Sequence, residues 1–267
     1  MNITPEQQTQ QLVQQEIADN LAIITLHNPD KRNALTHTAF GEVAKSITDA
    51  AAERSVRAIV ITGAGAHFCS GLDLTAGESL TGASDEQIQT SMGELNAMIR
   101  AVVEAEVPVI AAVEGAAAGV GASLALACDL VVAAQSAFFV LPFGRIGLLP
   151  DGGVMQTLSA SLGRAVTMRM ALLQQPLPAE VAQSAGLLAE LADDGAALAV
   201  ARECAAALQM ASPEALAATK RGVNAASLGQ LSQALEDEAV QQPKLLRTDG
   251  HREGVQAFAE RRAPRFS

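Results

Sequence analysis

Tryptophan and tyrosine are absent, and phenylalanine occurs only seven times. A tyrosine general acid and an aromatic platform for stacking nucleobases are therefore excluded, and the core must be built from Ala, Leu and Val. The four histidines, His27, His37, His67 and His251, form no HxxxH or HExxH pattern. The three cysteines, Cys69, Cys128 and Cys204, form no CxxC. No metal is expected from such spacing. An odd, scattered cysteine set fits a reduced, cytoplasmic setting better than a disulfide framework. Basic charge is also short: the formal net charge of −11 argues against nucleic acid or an anionic membrane surface as partner. A few local cations can still hold a small polyanion. No stretch approaches the roughly 18 apolar residues of a membrane span. The Gln-rich opening lacks the basic and apolar regions of a signal peptide, so a soluble protein is expected.

The 267 residues, 49% of them hydrophobic, are enough for one sizeable core. Leu21–Leu26 reads as a strand, and a helix is expected from Thr36 to about Ala52. Val56–Thr62 is a continuous apolar run of the kind found in buried parallel strands. A helix from about Ser84 to Ala105 precedes a second such run, Val107–Val113. A Gly- and Ala-rich turn, Gly115–Gly121, leads into a helix at Ala122–Ala127, and Asp129–Ala133 returns as a strand. Strands alternating with helices predict an α/β architecture with right-handed crossovers. Beyond about Asp193 the periodicity is helical throughout, over Ala196–Met210, Pro213–Ala226, Leu231–Val240 and Arg252–Arg262. The expected division is a core over residues 1–193, with 1–17 loosely held, and a helical region over 194–267. The latter is expected to pack on the core or on another subunit.

Two turns follow the buried strands: His67-Phe68-Cys69-Ser70-Gly71-Leu72-Asp73-Leu74 and Ala118-Gly119-Val120-Gly121-Ala122-Ser123. In parallel sheets ligands bind beyond the carboxyl ends of the strands. Glycine beside an exposed N–H leaves that donor open, and two such donors can form an oxyanion hole. Each turn alone is better explained by tight packing. The third glycine of a dinucleotide loop is missing, since position 124 is Leu.

Several segments, in order, resemble the signatures of the crotonase (enoyl-CoA hydratase/isomerase) superfamily. They are Asn28-Pro29-Asp30-Lys31-Arg32-Asn33-Ala34-Leu35, Phe68–Leu74, Pro108–Gly115, Cys128-Asp129-Leu130, Arg145–Gly153 and Arg252–Phe258. The resemblance implies a ClpP-like spiral of ββα repeats, a C-terminal helical trimerisation region, and a homotrimer or dimer of trimers. It implies a coenzyme A thioester as substrate, with no prosthetic group. It places the oxyanion hole at the backbone N–H groups of Leu72 and Val120, the latter replacing a usual glycine. Lys31, Arg32, Ala34, Ser70 and Asp73 would border the coenzyme A, and Arg261 would reach a neighbouring subunit's ligand.

The departure from the family lies in its carboxylates. The two glutamates of family hydratases fall at positions held here by Ser123 and Phe143, which become candidate pocket residues. Water addition needs a base and an acid on one face, so ordinary hydration should be slow. Asp151, in Leu149-Pro150-Asp151-Gly152, matches the catalytic Asp of family isomerases that resemble the ring-epoxide and oxepin isomerases of phenylacetate breakdown. Other members hold a dehalogenase nucleophile there. A single base suffices to move a double bond, which predicts an enoyl-CoA isomerase. A hydratase or lyase with another base and a non-catalytic acyl-CoA-binding protein are the alternatives. Asp151 also suits a helix N-cap, Glu114 a solvated or structural role, and His67 a loop role.

Overall fold

The apolar runs become the inner strands of a six-stranded sheet. Its order is β1 (Val13–Ala18), β2 (Leu21–Leu26), β3 (Ala58–Gly63), β4 (Val109–Val113), β6 (Leu130–Ala134) and β9 (Glu190–Ala192). Only the β1–β2 pair is antiparallel. β4 is buried along its whole length, as a parallel strand covered on both faces must be. A second sheet holds three short strands, β5 (Ala116–Ala118), β7 (Phe138–Val140) and β8 (Leu177–Pro178). The computed structural model describes residues 12–75 and 80–266.

Two successive turns of the spiral each lay one strand in the large sheet, one in the small sheet, and then a helix. β4, β5 and α3 (Val120–Ala127) form one such unit, and β6, β7 and α4 (Val154–Leu173) form the next. α1 (His37–Ala52) and α2 (Asp85–Glu104) pack on one face of the large sheet through Phe40, Val43, Ile47, Met98 and Ile99. Thr36 caps α1 by accepting the Ala39 amide. Ser84 and Gln87 close a capping box on α2. After the short α5 (Ala179–Ser184), α6 (Ala197–Leu208) covers the opposite sheet face with Ala197, Ala201 and Ala205. Small residues let this helix approach the sheet closely. Glu114 accepts the Gly195 and Ala197 amides at 3.1 and 2.9 Å, so it caps α6 and is structural.

The remaining helices are α7 (Pro213–Ser227), α8 (Leu231–Leu245) and α9 (Asp249–Ala259). α7 follows its expected bounds, α8 runs five residues beyond its expected end at Val240, and α9 begins and ends three residues earlier than expected; all three return to their own core. Lys220 on α7 is 8% exposed. Its ammonium lies 2.7 Å from Asp129 and donates to the Val102 and Val107 carbonyls at 2.8 and 3.2 Å. α9 docks on the turn before α4, where a Cβ on Gly254 would meet Ile146 Cα at 2.5 Å.

The chain differs from expectation at its small strands. The N-terminal stretch expected to be loose includes β1, an edge strand whose side chains are exposed after Val13. The rest of that stretch, residues 1–11, lies outside the described residues. β5, β7, β8 and β9 are two or three residues long, too short to show a period. Among the described residues no helix is long and apolar enough to cross a membrane, and no group of three or more His, Cys, Asp or Glu is placed to hold a metal ion.

Candidate active site

The two glycine turns meet at the end of the large sheet. Cys69 and Ala117 pair in parallel, with the Cys69 amide on Ala116 O at 3.0 Å and the Ala118 amide on Cys69 O at 2.9 Å. This ladder brings Gly71 against Gly119. A Cβ on Gly71 would lie 2.9 Å from Ala118 O and 3.6 Å from Gly119 Cα, and Gly71 itself has φ +96°. Gly119 has φ 55° and ψ −129°, a conformation essentially reserved for glycine. The residues that follow these glycines, Leu72 and Val120, both line one cavity. Neither of their amides has a backbone acceptor among the described residues. Val120 opens α3, so its N–H is one of the unpaired donors at the positive end of a helix.

That cavity is small, about 40 Å³, partly open to solvent, and walled mainly by apolar side chains, among them Phe40, Met92, Leu95, Leu148 and Leu246. Among the described residues Asp151 is the one carboxylate that lines it. Asp151 is 7% exposed. Gln242 Nε2 donates to its Oδ2 at 2.6 Å, while Oδ1 is buried without a hydrogen-bond partner. Burial pushes the carboxyl up to about 7 against the opposing pull of the Gln242 amide. An apolar pocket thus holds an acid near neutrality.

The N-cap alternative for Asp151 does not hold. Gly153, in a left-handed conformation, occupies the N-cap of α4 with no side-chain cap. The Gly153 amide goes instead to Glu238 Oε2 at 2.9 Å. Glu238 on α8 is 2% exposed. Burial, reinforced by the charge of Asp151, raises its carboxyl to about 8 despite the Gly153 amide. Gln242 and Glu238 were not anticipated from the sequence. The usable signal was two polar residues on the buried face of α8, in line with Leu231 and Leu235.

Ser123 is fully buried and donates to Asp151 O at 2.7 Å and Gly119 O at 3.3 Å. It ties α3 to the Asp151 turn and is not among the residues lining the cavity. Phe143 is also buried outside that lining, with its ring tip 3.9 Å from where a Gly119 Cβ would be. His37 hydrogen-bonds Ser91 inside the cavity. His251, also in its wall, donates from Nδ1 to Ile146 O at 2.8 Å and takes Thr81 Oγ1 on Nε2 at 3.1 Å. Burial lowers the His251 pKa. His67 accepts the Ala116 amide at 3.2 Å, a loop role.

Next in the chain to the cavity-lining Leu72 and Leu74, Asp73 pairs with Lys31 at 2.7 Å, and Lys31 also donates to Thr75 Oγ1 at 3.0 Å. Burial alone would raise Asp73, but Lys31 and Thr75 outweigh it and hold the carboxyl below its usual range. Ser70 and Arg32 are joined by the Ser70 amide on Arg32 O at 2.9 Å, and Ser70 Oγ donates to Lys31 O at 2.9 Å. The buried Asn33 anchors this loop: its Nδ2 donates to Ala64 O at 2.9 Å and His67 O at 2.7 Å, and its Oδ1 accepts the Asn28 amide at 2.9 Å. Ala34 is buried beside it. Arg261 is exposed beyond the end of α9 and does not line the cavity.

An α/β spiral carrying an apolar cavity, a near-neutral acid and two open main-chain amides defines a crotonase-fold enzyme. The chain belongs to the enoyl-CoA hydratase/isomerase family, whose model matches residues 16–267, and so to a family that acts on coenzyme A thioesters. It is similar to a probable enoyl-CoA hydratase of Rhodobacter capsulatus, at 41% identity over 96% of this chain and 97% of that one. It is also similar to the 1,2-epoxyphenylacetyl-CoA isomerase of Escherichia coli, at 34% identity over 91% and 94%. The solved structure of an enoyl-CoA hydratase from Mycobacterium avium subsp. paratuberculosis superposes with a TM-score of 0.87, at 36% identity, covering 96% of this chain and 98% of that one.

Proposed function

We propose that this enzyme isomerises an enoyl-CoA, with Asp151 as the single proton carrier. The ionised carboxyl takes a proton from C2 of a 3-enoyl thioester. The electron pair moves to the thioester oxygen, giving a dienolate held by the Leu72 and Val120 N–H groups. Asp151 then returns the proton at C4, leaving the conjugated 2-enoyl product. Donors aimed at a developing oxyanion contribute about 2.7–4 kcal/mol each in comparable sites, and a positioned base about 10²–10⁴-fold.

The observation that carries this reading is the lone carboxylate of the cavity among the described residues, with one oxygen unpartnered; the family resemblance adds that Ser123 and Phe143 occupy the sequence positions of the hydratase glutamates. The likeness to an epoxyphenylacetyl-CoA isomerase supports it. The likeness to a probable hydratase favours hydration as the second reading. Asp151→Asn separates them. The isomerase reading expects the variant to lose turnover of 3-enoyl-CoA while still binding acyl-CoA. Efficient hydration of crotonyl-CoA by the wild type would overturn it, and acyl-CoA binding with no turnover of any enoyl-CoA would point to a binding protein.

Lys31 and Arg32 are proposed to meet the coenzyme A phosphates, with the Ala34, Ser70 and Asp73 backbones along the pantetheine. A homotrimer or dimer of trimers, in which Arg261 serves a neighbouring site, is proposed from the family resemblance; exposed Met168, Leu172 and Leu173 on α4 and Phe258 on α9 offer apolar surface for contacts between copies. Three unpaired cysteines support a cytoplasmic setting.

A further inference from the structure

α8 comes some ninety positions after the turn that carries Asp151, yet it makes the contacts that orient it. Gln242 is 2% exposed. Its Oε1 accepts the Leu149 amide at 3.2 Å and its Nε2 donates to Leu149 O at 3.0 Å. These two bonds fix which end of the side chain is nitrogen. The second Nε2 hydrogen is then left for Asp151 Oδ2 at 2.6 Å, and both hydrogens of the amide are used. One helical turn earlier, Glu238 takes the Gly153 amide at 2.9 Å on the far side of Asp151. The Leu149–Gly153 turn is therefore gripped at both ends by one helix.

We propose that Gln242 is a positioning residue that engages Oδ2 of Asp151 and leaves Oδ1 free for proton transfer, with Glu238 anchoring the turn. This rests on the reading of Asp151 as the proton carrier. The amide stabilises the ionised carboxyl, so it tunes basicity as well as aim. The other titrating groups facing Asp151 are Glu238 on α8, His37 on α1 and His251 on α9. The faces of α2 and α3 present Ser91, Met92, Leu95, Val120 and Ser123, none of which titrates in the neutral range.

The test compares Gln242→Met, which keeps the side-chain length without the donor, with wild type and Asp151→Asn. Gln242→Met is expected to lower kcat for a 3-enoyl-CoA by on the order of 10²-fold. The acid limb of its pH profile should move up by roughly half to one unit, the equivalent of one lost hydrogen bond. Its dissociation constant for a saturated acyl-CoA should stay within a few-fold of wild type, which a collapsed pocket would not allow. If Gln242→Met does not fold, Gln242→Glu replaces it. That isosteric variant puts a second acid beside Asp151 and should move the acid limb up further. A folded variant with an unmoved acid limb overturns the proposal, even if kcat falls. An Asp151→Asn enzyme that still isomerises overturns the proton-carrier reading itself; an inactive Asp151→Asn beside an unaffected Gln242→Met removes only the role of Gln242.

Discussion

Gly71 and Gly119 face each other, each with positive φ, so closely that a Cβ on either would lie 3.6–3.8 Å from the other's Cα, and the amides of Leu72 and Val120 issue from this junction. Gly71 has no room for a side chain against Ala118 O, and the positive φ of both glycines strains any other residue there. Gly119→Ala is expected to cost about 1–3 kcal/mol in stability from backbone strain. It should also lower kcat by roughly 10²–10³-fold as the Val120 donor moves. Urea unfolding and steady-state kinetics measure the two effects separately, and a variant with normal kcat would show that the Val120 amide does not act on the substrate.

Asp151 makes stability depend on pH. Its carboxyl is near 3.8 when unfolded and about 7 when folded, so the folded state holds a proton that the unfolded chain releases. The favourable contribution is complete below about pH 4 and is lost as pH rises through 7. Asp151→Asn removes that loss. At pH 8 the variant should be more stable than wild type by up to about 4 kcal/mol, and near pH 4 the two should converge. Denaturant midpoints at both pH values check this; equal stabilities at pH 8 would mean the acid is better solvated than its burial implies.

Lys220 and Asp129 form a buried pair that joins α7 to the strands β4 and β6. Lys220→Met strands the Asp129 charge and leaves the Val102 and Val107 carbonyls without their donor. A loss of about 3–5 kcal/mol is expected. Replacing both partners, as Lys220→Met with Asp129→Leu, should recover part of it. Double-mutant unfolding curves give the coupling directly.

Ser123→Glu, the change that would restore one hydratase glutamate by sequence position, is expected to damage the fold. Ser123 Cβ already sits 2.9 Å from where a Gly152 Cβ would be, and the residue has no exposed surface. Overpacking alone costs about 1–3 kcal/mol, and the new carboxyl would be buried. A soluble, stable Ser123→Glu enzyme with hydratase activity would show that the pocket is more plastic than its packing suggests.

Much of this site is written locally. Gly71, Gly119 and Asp151 each sit in a short segment whose residue types state their own geometry, and the continuous apolar runs of β3 and β4 are unambiguous. Gln242 and Glu238 are different. Their significance depends on α8 folding back over a turn distant in sequence, and helical periodicity marks only that their face is buried. The small-sheet strands escaped for a simpler reason, since two or three residues cannot display alternation. The N-cap reading of Asp151 was plausible from the Pro-Asp-Gly-Gly segment; left-handed Gly153 and the arrival of Glu238 exclude it.

Cys69 lies inside the ladder that joins the two glycine turns, with no exposed surface, and burial holds its thiol up at about 12. A Cβ on Gly121 would press within 2.6 Å of it. In the closed protein this sulfur is almost wholly protonated and out of reach of alkylating reagents. Any labelling of Cys69 by iodoacetamide therefore counts the moments at which the junction comes apart. Its rate, with and without a bound acyl-CoA, is a native clock for the breathing of the catalytic cleft.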